Sequence, residues 1–139
     1  MASVARPDTK TLFQIDPNWF AENGRDLREE VHALLCEECR VWYPVPADAL
    51  LVDHIHPETG EVTRVDALWE SLAEHCGHLP GYIAPSTPLT TALFRALLAN
   101  GNRPLTPEQL HKRVGKSNPS GILKVLMGAE IENGIVPVE

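Results

Sequence analysis

The chain has 139 residues, 43% of them apolar, and a formal net charge of −7, which is the composition of a globular protein and excludes global disorder. No apolar run is long enough to span a bilayer, and residues 1–10 lack the apolar stretch of a signal peptide. We therefore expect a soluble, cytoplasmic protein with no membrane partner. Its three cysteines are expected to be reduced, because their number is odd and no export signal is present.

Charge is distributed unevenly along the chain. Residues 1–86 carry 6 Lys/Arg and 15 Asp/Glu, a balance of −9, whereas residues 87–139 carry 6 and 4, a balance of +2. An acidic body followed by a more basic part is typical of a protein whose second part faces nucleic acid. A balance of +2 is modest for such a module.

The N-terminal region predicts two successive helices after a loose arm at residues 1–10. Asp16 can cap the first helix, with Pro17 at its first position. Asp26 can cap the second, and its apolar spacing predicts a continuous helix to about Arg40.

Residues 50–65 predict a β-hairpin, because two β-rich runs flank a turn in which Gly60 can adopt the positive φ that is needed. Asp66 then caps a helix that ends at Gly77. The polar pair His54 and His56 is expected on the outer face of this hairpin. We expect the three tryptophans to fill the N-terminal core: Trp19, Trp42 and Trp69.

Prolines and glycines concentrate in residues 80–88, which predicts a linker. The expected division is an N-terminal α+β part at residues 1–79, this linker, and a C-terminal domain at residues 89–139. The expected fold class is mostly α with a small β content.

A cysteine and histidine constellation predicts a metal site in the N-terminal part. Cys36 and Cys39 have the two-residue spacing with which one element supplies two thiolates to tetrahedral zinc. The other ligands are expected from a second segment, which holds His75, Cys76 and His78. His32 is a weaker candidate. A structural zinc ion here would join two helix ends in a part with a small core.

Two other interpretations of the cysteines remain open. Cys36 and Cys76 can be small buried residues without a metal, which is common for cysteine. A redox role is disfavoured, because the predicted helix places the thiols at its C-terminus beside Glu37 and Glu38, where thiolates are not stabilised. No phosphate-binding glycine loop, nucleophile elbow or distinctive acid–base pair is present, so we do not expect an enzyme.

The C-terminal part predicts three short helices and a hairpin. The first helix follows Pro88, and the second begins in a capping box made by Thr106 and Gln109. Gly115 ends the second helix and opens a tight turn. Pro119 starts the third helix, and the sequence Glu132-Asn133-Gly134 predicts a hairpin after it.

This order of elements resembles the winged helix-turn-helix DNA-binding domains over about fifty residues, with the terminal hairpin as the wing. The resemblance implies that the third helix enters the major groove. Ser117, Asn118 and Ser120 would then meet base edges. The residues expected near phosphates are Lys112, Arg113, Lys116 and Lys124.

The leading hypothesis is a small nucleic-acid-binding, transcription-associated protein with structural zinc and a DNA partner. The alternative is a non-enzymatic adaptor that uses the winged-helix fold to dock a protein partner. Two features favour the alternative: the turn and third helix contain no arginine, which makes the commonest guanine contact, and the expected wing is acidic.

Overall fold

The computed structural model describes residues 6–45, 51–128 and 134–138, and within these the protein has the α+β fold that the sequence predicts. Seven α-helices and two small antiparallel sheets are present in this part of the chain. In chain order the elements are β1 (Phe13–Ile15), α1 (Pro17–Glu22), α2 (Leu27–Ala33), α3 (Glu37–Trp42), β2 (Leu51–Ile55), β3 (Val62–Asp66), α4 (Ala67–Glu74), a 3-10 turn (Cys76–His78), α5 (Leu89–Ala99), α6 (Pro107–Val114), α7 (Pro119–Leu126) and β4 (Ile135–Pro137).

The predicted helix starts are confirmed by their caps. Asp16, Asp26 and Asp66 each accept a hydrogen bond from the amide two residues later, at 2.9 to 3.0 Å. Both halves of the predicted capping box are present, since Thr106 and Gln109 each bond to the other's backbone amide. These starts are local, so the sequence alone suffices to place them.

The prediction of one helix from Asp26 to about Arg40 is wrong. Helix α2 ends at Ala33, and α3 begins at Glu37 with Cys36 as its N-cap. The two cysteines of the pair therefore lie at the start of a short helix and not at the end of a long one. This position, at a helix start, does not disfavour thiolates as the predicted helix end would.

The predicted hairpin is confirmed as β2 and β3, which pair from Leu51 opposite Asp66 to Ile55 opposite Val62. Gly60 has φ +72° in the turn, as expected for a residue without a side chain. One face of this two-stranded ribbon packs on α4, where His54 Nδ1 lies 2.9 Å from Glu70 Oε1. His54 therefore faces the helix and not solvent, contrary to the expected outer face.

Strand β1 lies between two segments of the C-terminal part. It pairs antiparallel with β4, Ile15 opposite Ile135, and its Phe13 exchanges both backbone hydrogen bonds with Leu105 at 2.8 and 2.9 Å. The predicted wing hairpin needs residues 129–133, which lie outside the described residues. Its expected second strand is β4, and β4 pairs with the N-terminal β1.

One hydrophobic core draws on both sides of residues 80–88. Phe20, Val31 and Leu72 contribute from one side, and Leu97 and Ile122 from the other. Trp42 is an exception to the expected core, because it is 75% exposed at the end of α3. The other two tryptophans, Trp19 and Trp69, are half-buried and pack against the core.

The predicted linker is hydrogen-bonded to α5, the helix that follows it. Tyr82 is buried, its hydroxyl donates to the Arg95 carbonyl at 2.7 Å, and the Arg95 guanidinium donates to the Tyr82 carbonyl at 2.9 Å. Among the described residues, no helix has the length and apolar content that would be needed to cross a membrane.

Candidate functional site

Three cysteines and one histidine from two distant segments converge at one point. The ligand atoms of Cys36, Cys39, His75 and Cys76 all lie within 4.8 Å of one another. His75 Nδ1 is 3.4 Å from Cys36 Sγ, 3.6 Å from Cys39 Sγ and 3.9 Å from Cys76 Sγ. The Cys36 and Cys76 sulfurs are 3.5 Å apart, well beyond the length of a disulfide bond.

These distances match a tetrahedral metal site. An ion with metal–sulfur bonds of about 2.3 Å and a metal–nitrogen bond of about 2.0 Å places its sulfurs about 3.8 Å apart and nitrogen about 3.5 Å from each sulfur. The spacing of the four side chains therefore suits direct coordination, and the group can hold a metal ion. Four protein ligands fill a tetrahedral shell, which is the arrangement of structural rather than catalytic sites.

The break between α2 and α3 builds the first half of this cluster. Cys36 caps α3 and Cys39 follows one turn later, so both sulfurs lie on the same side of the chain. The Cys36 amide also points at the second half of the cluster, since it donates to Cys76 Sγ at 3.3 Å. A backbone N–H directed at a cysteine sulfur favours the thiolate form that metal binding requires.

The end of α4 builds the second half. His75 ends the helix with φ −128° and ψ −70°, and the 3-10 turn that follows carries Cys76 inward, where it is buried. Gly77 allows this turn to lie on α5: a Cβ there would come within 2.8 Å of both Ala99 Cβ and the Leu72 carbonyl oxygen. Glycine is required here by the close approach of two helical segments.

The electrostatics of the cluster favour a bound cation. The backbone amide of Cys39 lowers the pKa of Cys36 to about 7 against the opposing effect of burial. Burial, and then the neighbouring thiols, raise the pKa of Cys39 to about 12, and burial also raises the pKa of Cys76. Three thiolates so close together are therefore unstable without a positive charge between them.

Glu38 completes the surroundings of the imidazole. Its Oε2 lies 3.6 Å from His75 Nε2, on the side of the ring opposite the cysteines. This separation exceeds hydrogen-bond length and the Glu38 side chain is 75% exposed, so the carboxylate places a negative charge near the imidazole without being bonded to it. The sequence places Glu38 beside the cysteines, and its position near His75 depends on where α4 ends.

The structure selects among the predicted histidines. It brings His75 to the cysteines and leaves His78 outside the cluster, exposed in a separate cleft beside Arg103 and Arg113. His32 is also outside, with its Nε2 2.8 Å from the Tyr43 carbonyl oxygen.

Some of the residues predicted to contact nucleic acid are exposed to solvent, and others make hydrogen bonds within the fold. Lys112, Arg113, Ser120 and Lys124 are exposed on α6 and α7. Lys116 is half-buried, and its ammonium donates to the carbonyls of Ala84, Pro85 and Thr87. These three bonds match the three donors of an ammonium group, so Lys116 is engaged within the fold.

The turn before α7 is rigidly bonded. Ser117 is exposed with φ +63°, and its carbonyl lies 2.6 Å from His111 Nδ1. Asn118 is exposed but caps α7, accepting from the Gly121 amide at 2.7 Å. Its side-chain oxygen thus has a structural role at the same place where base contact was expected.

Arg6 was not among the expected contact residues, yet it lies beside α7. With Pro7 it lines a groove of about 430 Å³, together with Ser120, Leu123, Lys124 and Met127. The turn from Asp8 to Thr11 positions this arm, since Thr9 accepts from the Glu108 amide at 3.4 Å. A sequence signal for Arg6 was absent because the contact depends on where β1 docks.

Comparison with protein-family models, with curated proteins and with solved structures finds no match to this chain.

Proposed function

We propose that the protein is a non-enzymatic, transcription-associated nucleic-acid-binding protein, in which structural zinc holds the N-terminal part and α7 docks on duplex DNA. The observation that carries the DNA part is the exposure of Ser120 and Lys124 on the outer side of α7. Ile122 and Leu126 face the core, which leaves Ser120 and Lys124 exposed on a helix that follows a tight turn.

Charge around this helix supports an anionic partner. Residues 84–128 contain six Lys/Arg and a single carboxylate, Glu108. Two of the six are used inside the fold, Arg95 toward Tyr82 and Lys116 toward the linker carbonyls. Of the other four, Arg103 donates to the Asn100 carbonyl in the turn after α5. The proposed phosphate contacts are the remaining three, Lys112, Arg113 and Lys124, together with the exposed Arg6 beside α7.

Zinc is proposed as the metal from the chemistry of the donors. Three thiolates and one imidazole form a soft, compact set that suits zinc and is poorly suited to magnesium or calcium. The ion would join the break between α2 and α3 to the end of α4, two segments separated by the whole β2–β3 hairpin. Elemental analysis of purified protein should give one zinc per chain, and cobalt substitution should give the intense visible bands of a tetrahedral thiolate site.

The DNA proposal is tested by fluorescence anisotropy of a labelled random duplex over a range of salt concentrations. Four phosphate contacts predict a slope of log K against log salt of about −3 to −4. Lys124→Gln and Lys112→Gln should each reduce this slope by about 1. Arg64→Gln removes the same charge from the β2–β3 hairpin and should leave the slope unchanged. Failure of the native protein to bind at low salt would refute the proposal.

A protein-docking role is the second candidate, and the groove beside α7 favours it. Leu123, Met127 and Pro7 give this groove an apolar floor, and Arg6 and Lys124 are its charged residues. Apolar grooves with cationic rims accept amphipathic acidic segments. If random and genomic duplexes both fail to bind at low salt, this role becomes the better explanation of α7.

A further inference from the structure

The outer face of the β2–β3 hairpin exposes three apolar side chains. Leu51, Ile55 and Val62 are 57%, 65% and 57% exposed. The opposite face of the ribbon packs on α4 through His54 and Glu70. Ile55 and Val62 lie directly opposite each other on the two strands, so their side chains form one exposed aliphatic patch of the kind that a partner surface covers.

A single ion pair lies at the centre of this face. Asp53 and Arg64 are directly opposite each other on the two strands, with Arg64 Nε 3.9 Å from Asp53 Oδ1. Both side chains are about two-thirds exposed, so the pair is loose and open to solvent. An ion pair of this kind contributes little within one chain and leaves both charges free to meet a partner.

Two of the three residue pairs on this face, Asp53 with Arg64 and Ile55 with Val62, are complementary between copies. When two copies stack face to face about a two-fold axis parallel to the strands, each residue of β2 lies over its β3 neighbour in the other copy. Asp53 of one copy then meets Arg64 of the other, and Ile55 meets Val62. A two-fold axis across the strands would instead bring Asp53 onto Asp53. Opposite charges therefore select one geometry.

We propose that the chain forms a symmetric homodimer through the outer face of the β2–β3 hairpin. Five residues of extended chain span about 17 Å, so the ribbon buries a small area by the standards of protein interfaces. The dimer is accordingly weak and reversible, and it forms at high protein concentration. It is independent of the proposed DNA contacts, which lie on α6 and α7.

Sedimentation velocity over a concentration series tests the dimer. The native protein should shift from monomer to dimer as concentration rises, and Ile55→Glu should weaken the dimer by about tenfold or more by burying an unpaired charge. Val41→Glu is the matched control, because it places the same charge on another exposed β-branched residue, 79% exposed on α3, and should not change association. Circular dichroism establishes that each variant is folded. A native protein that stays monomeric throughout would overturn the proposal.

Charge exchange tests the geometry. Asp53→Lys makes the face positive and Arg64→Glu makes it negative, so each variant alone should remain monomeric. An equimolar mixture of the two should form a heterodimer tighter than the native dimer, because both charges of one copy then attract both charges of the other, whereas in the native dimer the diagonal pairs carry like charges. A mixture that sediments as the separate variants would overturn the proposed pairing. Association that persists in Ile55→Glu would place the interface elsewhere and also overturn it.

Discussion

The side-chain amide of Asn102 pairs with both backbone groups of Ile15, its Oδ1 accepting from the Ile15 N–H and its Nδ2 donating to the Ile15 carbonyl, each at 2.8 Å. The Asn102 side chain thus pairs with the edge of β1 that faces away from β4, as a neighbouring strand would. Its φ of +56° is one that asparagine tolerates better than most residues.

Replacement of Asn102 should therefore destabilise the fold through β1. Asn102→Gly keeps the positive φ and removes both hydrogen bonds from a partly buried backbone, so we expect the free energy of unfolding to fall by about 1–3 kcal/mol. Asn100→Gly, which removes an exposed bond to the Arg103 carbonyl, is the control and should have a smaller effect. Chemical denaturation measures both, and equal losses would contradict the bridging role.

Removal of the metal should destabilise the N-terminal part. His75→Ala and Cys39→Ser should each abolish stoichiometric zinc and lower the melting temperature, because binding energy at a structural site contributes to folding. His78→Ala should retain the metal and the native melting temperature. Metal content and thermal melting with and without a chelator distinguish the variants. Loss of zinc in His78→Ala with retention in His75→Ala would refute the ligand set.

Gly77→Ala should destabilise the protein by about 1–3 kcal/mol, because its Cβ would overlap Ala99 Cβ and the Leu72 carbonyl at 2.8 Å. Gly81→Ala is a close control, since a Cβ there meets no atom within 4 Å. Denaturant titration of the two variants in the same buffer measures the difference. A Gly77→Ala protein as stable as the native one would show that the 3-10 turn and α5 are less tightly packed.

Substitutions of Lys116 and Lys124 should affect different properties, Lys116 the stability of the fold and Lys124 the affinity for DNA. Lys116→Gln removes an ammonium from three carbonyls and should lower the free energy of unfolding by about 1–3 kcal/mol, with little change in the salt slope of DNA binding. Lys124→Gln should leave the free energy of unfolding nearly unchanged and reduce the salt slope of DNA binding. Thermal melting and anisotropy on both variants test this crossed pattern, and a Lys116→Gln protein of native stability would contradict the structural role.

Tyr82 should make the folded state sensitive to alkaline pH. Burial raises its pKa, an effect that the nearby Arg95 charge only partly offsets. Its contribution is fully present below the unfolded tyrosine pKa of about 10 and is lost as pH rises toward the folded value. The native protein should therefore lose stability above pH 10 faster than Tyr82→Phe, by up to about 1.4 kcal/mol per pH unit. Parallel stability curves for the two proteins would refute this.

Local signals in the sequence suffice for much of the fold. Aspartate caps, the Thr106 capping box and the turn at Gly60 depend on neighbours within a few residues, and all three are confirmed. The break between α2 and α3 at residues 34–36 is not predictable from the sequence pattern, because Leu34 and Leu35 continue the apolar spacing of a helix. Spacing alone does not show that the chain turns here and places Cys36 and Cys39 at the start of a new helix.

The metal cluster was predictable in composition and only partly in detail. Cys36, Cys39 and Cys76 follow from spacing and residue type, whereas the choice of His75 depends on how α4 ends. The pairing of β1 with β4 was not predictable, since strands of three residues carry no periodicity and their partners lie at opposite ends of the sequence.

The pairing of β1 with β4 affects how the protein folds during its synthesis on the ribosome. Ile15 is synthesised about 120 residues before Ile135, its partner in the strand that covers one edge of β1. The nascent chain must carry an incomplete sheet edge while all the residues between the two strands are made. A premature stop anywhere before β4 would leave that edge exposed, and such fragments should depend on chaperones or aggregate.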